Sequence, residues 1–344
     1  MTKYIMVCLK SVFHPDFRSI LQINRITNLN IKDTLIIISC TCTQYTNYMM
    51  TEITIVHPSG ARASIHPFGA TLTSYQTSKG RELIFVSNLA KRDGSKAIRG
   101  GVPLVFPIFG PDPEGAMPQH GFLRCTTWNK SDFYEANGAA CCDFRLSLKE
   151  VSKARGGEIW GNNEKVDCEI VLTVNVLPSS LQTTLKFKNT GSIPFTFQSL
   201  FHTYYKIEGG QALNNDVCYV KGLKGYNAED KITGKTYELC EEKVVMGVEV
   251  DRIYSNPSKP ELELIVGTGA ASDVKLTSKA TVDGKVAPVS VVVWNPYIEK
   301  SKALGDFGDE EYHHMLCVEP GILSGVPELE NGKEATFEQV LSVL

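Results

Sequence analysis

Two consecutive stretches of strict alternation constrain this chain more than any other feature. Val166, Cys168, Ile170, Leu172, Val174 and Val176 fall on one side, with Asp167, Glu169, Thr173 and Asn175 between them. After Pro178-Ser-Ser the pattern repeats, with Leu181, Thr183, Leu185 and Phe187 set against Gln182, Thr184, Lys186 and Lys188. A period of two is that of a strand with one face buried, and a Pro/Ser cluster between two such runs marks a turn. The pair therefore predicts an antiparallel hairpin laid on an apolar core.

The same signature recurs along most of the chain. Glu52-Ile-Thr-Ile-Val, closed by Pro58-Ser-Gly60, reads as a strand, as do Ala61–His66, Glu82–Val86, Ala139–Val151 and Phe195–Ile207. Further runs lie at Asp216–Leu223, Leu262–Val266, Val289–Trp294, Met315–Glu319 and Ala335–Leu344. No long helical period competes; Asp309-Glu-Glu-Tyr-His-His is the best short helical candidate. Many strands joined by Gly, Pro and Asn turns predict an all-β fold, a large antiparallel β-sandwich. No linker-like run divides residues 50–344, so they are read as one domain, large enough to bury a substantial core.

Residues 1–49 differ in kind. Lys3, Lys10, Arg18, Arg25 and Lys32 outnumber Asp16 and Asp33, and alanine is absent. The apolar run Leu35-Ile-Ile-Ile-Ser-Cys is too far from the start for a signal peptide and too short to span a membrane. A mitochondrial transit segment and an extension ahead of a start at Met49 or Met50 are both open. Without an amphipathic stripe the second is favoured, and the segment is expected to lie outside the fold.

A formal charge of −3 with no dominant Lys/Arg run argues against a nucleic-acid partner. The ten cysteines, at 8, 40, 42, 125, 141, 142, 168, 218, 240 and 317, form no compact framework, and several sit in apolar strand-like runs. They read as free thiols of a reduced, intracellular protein. Cys40-Thr-Cys42 and Cys141-Cys142 lack zinc-site spacing. Gly234-Lys-Thr is no P-loop, because Glu229 stands at the required first glycine. No G-x-S-x-G elbow or H-E-x-x-H is present, and His313-His314 are adjacent, which makes a poor metal pair.

Three segments carry groups suited to chemistry. Arg99 to Trp128 gathers Arg99-Gly-Gly-Val-Pro and Pro118-Gln-His-Gly-Phe-Leu-Arg124, a rigid loop with forked cationic donors fit for an anion. In Phe195–Tyr205, alternation puts Phe195, Phe197, Ser199 and Phe201 toward a core. Thr196, Gln198, Leu200, His202 and Tyr204 fall on the opposite face, which reads as too polar for a second core. Glu319 ends an otherwise apolar run and is followed at once by Pro320-Gly321, so it reads as a carboxylate at a strand end. Trp294 likewise closes a Val-rich run, as a sugar platform or a core edge.

Taken in order, Arg99-Gly-Gly-Val-Pro, Pro118-Gln-His-Gly-Phe-Leu-Arg124, Leu200-Phe-His-Thr-Tyr-Tyr, Val293-Trp-Asn-Pro-Tyr-Ile-Glu-Lys, Gly305-Asp-Phe-Gly-Asp and Cys317-Val-Glu-Pro-Gly resemble one family. It is the glucose-6-phosphate 1-epimerase (hexose-6-phosphate mutarotase) group of the aldose 1-epimerase superfamily. The resemblance covers residues 51 to 344 and implies a sugar held on the concave face of a β-sandwich. It implies that His202 and Glu319 are the catalytic pair and that Arg99, Gln119 and Arg124 bind substrate. Asp251, in Glu249-Val-Asp-Arg-Ile-Tyr, matches a position that holds sugar hydroxyls; His120 and Trp294 are further candidates. Tyr297 stands where a second tryptophan is common. Leu123 replaces a common alanine and is expected to narrow the pocket near Arg124. The reaction implied is anomer exchange of a hexose 6-phosphate, in which Glu319 takes a proton as base while a nearby carboxylate raises the His202 pKa. The alternatives are an aldose 1-epimerase acting on free hexoses and a non-catalytic sugar-phosphate binder. The setting expected is cytoplasmic, with a monomer acting on a small molecule, no nucleic acid or membrane as partner, and no cofactor or metal.

Overall fold

The computed structural model describes residues 51–344 apart from Glu114, Ala116, residues 152–164 and Pro257; the expectation for residues 1–49 falls outside the described residues. The hairpin forms as predicted: Cys168–Val176 pairs antiparallel with Ser180–Asn189, from Cys168 opposite Asn189 to Val176 opposite Leu181. Leu177 N–H donates to the Ser180 carbonyl to close the turn. Cys168, Ile170, Leu172, Val174, Val176, Leu181, Leu185 and Phe187 are all buried in the main core. This hairpin lies in an eleven-stranded antiparallel sheet, between Ala139–Ser147 on one side and Glu334–Val343 on the other.

Facing it is an eight-stranded antiparallel sheet whose middle runs Val250–Ser255, Ser290–Asn295, Met315–Ile322, Ser199–Phe201 and Leu104–Val105. Tyr204–Lys206 pairs with the same long strand, Met315–Ile322. Parity divides these strands in two. Val291, Val293, Leu316, Val318, Phe201 and Tyr205 enter the main core. Val292, Trp294, Met315, Cys317, Leu200 and Tyr204 enter a second apolar cluster on the opposite face. The expectation that this face is too polar for a core is therefore corrected: it is a smaller core with a few polar groups set into it. Burial on both faces is why Val291–Trp294 and Met315–Val318 read as unbroken apolar runs.

Three further differences bear on the site. Glu319 does not end its strand, which continues to Ile322. Pro320 sits opposite Val291 with Glu319 opposite Val292, so the missing N–H interrupts only local bonding and not the sheet. Leu123 is fully buried in the main core, so it fills that core and does not narrow the pocket. Asp309–His314 forms the 3-10 turn Glu311–His314, whereas the one α-helix among the described residues, Tyr297–Ala303, follows directly on Trp294-Asn-Pro. Asn295 starts it: its carboxamide donates to the Tyr312 and Met315 carbonyls and accepts from Tyr297 N–H.

The loop carrying the arginines folds back on itself through Phe106. Phe122 N–H donates to the Phe106 carbonyl, and Phe106 N–H donates to the His120 carbonyl. Gly121 lies between, at φ +74, where a Cβ would stand 2.0 Å from the Phe106 oxygen. Gly121→Ala should therefore cost roughly 2–4 kcal/mol in urea denaturation, combining left-handed strain with the clash. Gly138→Ala, at φ +77 with nothing within 4 Å of a new Cβ, should cost only the strain, about 1–2 kcal/mol.

Candidate active site

His202 and Glu319 meet because their strands are in register. Tyr204 stands opposite Cys317 and Leu200 opposite Gly321, and the same count carried between them sets His202 opposite Glu319. Side chains directly opposite on one face of an antiparallel pair lie close enough to touch. His202 Nδ1 is 3.3 Å from Glu319 Oε1, with His202 8% and Glu319 1% exposed. Neither His202 Nδ1 nor Glu319 Oε2 makes a hydrogen bond, so both keep capacity for a ligand. Locally, His202 N–H donates to the Pro103 carbonyl and Thr203 N–H turns back to the Phe201 carbonyl. The histidine is thus tied to the arginine-bearing segment.

The electrostatics overturn one expectation. Burial drives the Glu319 carboxyl well above the usual range, and the Asp251 carboxylate adds to this against the opposing pull of Arg124. Burial also drives His202 well below its ordinary value, and the neighbouring His120 and the charges of Arg124 and Arg99 push the same way. The carboxylate beside it does not reverse the direction. In the free site the environment favours the neutral forms of both groups.

The two arginines differ in how they are held. Arg99 donates from Nε to Asp306 Oδ1 (3.2 Å) and from Nη1 to the Tyr204 hydroxyl (3.4 Å). Asp306 is 2% exposed and its other oxygen is 2.8 Å from Lys96 Nζ. Burial alone would lower the Arg99 pKa, but Tyr204 and Asp306 hold it above its ordinary value. Burial likewise would raise Asp306, but the hydrogen bond from Lys96 and the charge of Arg99 keep it low. Arg124 donates Nη2 to the Gln119 carbonyl at 2.7 Å, and its buried Nε has no partner. Among the described residues no carboxylate pairs with it. Gln119 supplies this backbone acceptor, while its side chain is exposed at the rim.

His120 lies between these groups, its ring edge-on to that of His202 at 5.7 Å between centroids. Gly110 N–H donates to His120 Nδ1 at 3.0 Å. A backbone N–H can only donate, so Nδ1 is bare and the proton is assigned to Nε2, which lies 3.4 Å from the Gln119 carboxamide and requires that amide to turn its oxygen toward the ring. Burial, then Arg124 and Arg99, pull its pKa down to about 3. Trp294 stands edge-on to His202 and to Tyr204, and Asp251 is its partner on the next strand. Lys300, on the helix, reaches Asp251 at 3.6 Å and Glu249 at 3.5 Å. Tyr297 packs on Tyr312 and against the second apolar cluster to which Trp294 belongs.

All eight residues singled out in the sequence lie on this face of the eight-stranded sheet or on the loops tied to it. His202, Glu319, His120, Arg99 and Arg124 are brought together electrostatically, while Asp251 and Trp294 flank them two and one strands away. Sequence reasoning missed Tyr204 as more than a face residue, and it missed Asp306 and Lys96. The signal for Asp306 was its place in Gly305-Asp-Phe-Gly-Asp, a motif quoted without a role for its acid. The donor atoms of His202, Cys317 and Glu319 lie within 4.8 Å of one another, compact enough to touch an ion. Burial holds the Cys317 thiol well above its ordinary pKa, and it packs in the second apolar cluster.

The fold is a β-sandwich that holds a buried imidazole–carboxylate pair beside two guanidinium groups. The family model for aldose 1-epimerase matches residues 51–342, and the chain belongs to that family. It is 32% identical to a Cenchrus ciliaris protein named "putative glucose-6-phosphate 1-epimerase", over 80% of each chain. A protein of the same name from Escherichia coli K12 is 26% identical, over 85% of this chain and 90% of that one. Among solved structures, a Salmonella typhimurium protein described as a "putative mutarotase" superposes with a TM-score of 0.70 at 25% identity, over 85% of this chain and 90% of the other. The expected fold and family are both borne out.

The tautomer of His120 is directly testable. By ¹⁵N NMR, His120 should remain neutral from pH 5 to 8, with its proton on Nε2, because its pKa lies near 3. A titration midpoint between 6 and 7 would contradict the bond from Gly110.

Proposed function

We propose that this chain interconverts the α and β anomers of D-glucose 6-phosphate and related hexose 6-phosphates. The observation that carries the reading is the buried His202–Glu319 pair beside Arg124, whose guanidinium has no carboxylate partner among the described residues. A neutral sugar offers this half-buried guanidinium no counter-charge, whereas a phosphate dianion does. The names of the relatives point to the same substrate.

The chemistry follows from one proton shared by two groups. With His202 as imidazolium and Glu319 as carboxylate, Glu319 removes the proton of the anomeric hydroxyl while His202 protonates the ring oxygen. The C1–O5 bond breaks, C1 becomes a carbonyl, rotation about C1–C2 turns its other face to O5, and reclosure returns both protons. Opening leaves a neutral imidazole and a protonated carboxyl, the form that burial already favours. The ionised form needs support, and the substrate supplies part of it: burial is the main cause that holds His202 down, and a phosphate on Arg99 and Arg124 offsets the share that their charges add. Neither residue is consumed, and the step calls for no redox partner or group carrier. Asp251 is placed to accept sugar hydroxyls, with Gln119 at the rim and the Trp294 ring as a wall. His120, held neutral with Nε2–H, donates a hydrogen bond and does not serve as the acid.

A monomer in the cytoplasm goes with this reading; the seven described cysteines are free thiols, which suits a reducing compartment.

Anomer exchange measured by magnetisation-transfer NMR, with glucose 6-phosphate beside glucose, tests the proposal. Exchange of the phosphate ester should be the faster; the reverse result points to an aldose 1-epimerase for free hexoses. His202→Ala and Glu319→Gln should each lower kcat by about 10²–10⁴. Unchanged exchange in His202→Ala would overturn the proposed mechanism, whereas no exchange above the uncatalysed rate in the wild-type chain would leave a binding protein and no enzyme. Arg124→Leu should raise KM for glucose 6-phosphate by roughly 10-fold or more, with a much smaller change for glucose, since a bond to a charged group is worth about 1.5–3 kcal/mol.

A further inference from the structure

Tyr204 touches both ends of the site. Its hydroxyl accepts the Nη1 bond of Arg99 at 3.4 Å. Its ring lies parallel to the His202 imidazole, 4.9 Å between centroids with 10° between planes, and stands edge-on to Trp294. It is 2% exposed, within the second apolar cluster, and its backbone is tied on both sides. Tyr204 N–H donates to the Gly101 carbonyl, Phe85 N–H donates to the Tyr204 carbonyl, and Tyr204 is registered opposite Cys317. With the backbone tied, the ring is held by its packing against Phe85, His202 and Trp294. Arg99 is held from its other side by Asp306, which the Lys96 ion pair keeps in place. Two anchors, on Nε and Nη1, leave the remaining N–H groups of the guanidinium for an anion.

We propose that Tyr204 is a positioning residue with two separable duties: its hydroxyl, with Asp306, orients Arg99 for the phosphate, and its ring fixes the plane of His202 for proton transfer. The inference rests on the hexose 6-phosphate reading for the first duty; the second holds for any sugar opened at this pair.

The duties come apart in two substitutions. Tyr204→Phe keeps the stacked ring and removes the hydroxyl. KM for glucose 6-phosphate should rise roughly fivefold, the size of one modest hydrogen bond, with kcat changed less than twofold. Asp306→Asn, which loosens the other anchor, should repeat that pattern, and both variants should be inhibited less well by inorganic phosphate. Tyr204→Leu removes the platform, and kcat should fall roughly tenfold or more for glucose 6-phosphate and for glucose alike, because a misplaced catalytic group loses rate steeply. The recovery of kcat from Tyr204→Leu to Tyr204→Phe assigns the effect to the ring. A Tyr204→Phe variant with unchanged KM, or one whose kcat falls as far as that of Tyr204→Leu, overturns the proposal, as does unchanged kcat in Tyr204→Leu. Failure of the substrate reading looks different: the wild-type chain then exchanges glucose faster than glucose 6-phosphate.

Discussion

Everything at this site depends on a carboxyl group and an imidazole held opposite each other where water cannot reach the carboxyl. Such burial is unfavourable for either group when charged, and it leaves Glu319 Oε2 and His202 Nδ1 without hydrogen bonds. Only the sheet makes it affordable. Met315–Ile322 is paired on both edges and buried on both faces, so Glu319 cannot swing outward to find solvent. The site is therefore destabilised locally by a scaffold stable enough to carry it, a familiar relation between function and fold. The directions of the two pKa shifts are the signature of that strain, because each group is pushed toward its neutral form.

The eight-stranded sheet does this by having two cores instead of one. Its inner face closes the main core against the eleven-stranded sheet, and its outer face carries a smaller apolar cluster. Polar groups set in that cluster feel a low dielectric even though a ligand can reach them, which strengthens every charge interaction among them. Apolar neighbours such as Leu200, Val292, Cys317 and Phe85 thus act on the chemistry by keeping water out, without touching a proton.

Much of this was legible in the residues, and the limits of legibility have physical causes. The hairpin of residues 166–189 could be read because one face is polar and the other is not, so the period of two is visible. The face of His202 could be read for the same reason. Its contact with Glu319 could not: parity fixes which side a residue takes, but register between strands more than a hundred residues apart is set by the whole sheet. The reading of Glu319 as a strand end failed because Pro320-Gly321 is ordinarily a stop, and here a proline position that needs no N–H lies within the sheet. Leu123 was misplaced for want of a direction, since a loop residue has no alternation to say whether it faces a pocket or a core. Asp306 and Tyr204 escaped because their significance lies in what they touch.

The charges around the cleft are also sorted in space. Lys96 and Arg99 share Asp306, whereas Asp251 acts on Glu319 from two strands away with Lys300 beside it, and Arg124 stands between the two groups, pulling on Glu319. A ligand that is anionic at one end and hydroxylated at the other meets a complementary field in one orientation and an opposing field when turned around. On the proposed reading this does more than select a phosphate ester over a free sugar. It presents the sugar hydroxyls toward Asp251, and the anion that orients the substrate also offsets the part of the His202 shift that Arg99 and Arg124 add to that of burial. Binding and activation would then be a single electrostatic event: a sugar lacking the phosphate would lose orientation and acid strength together.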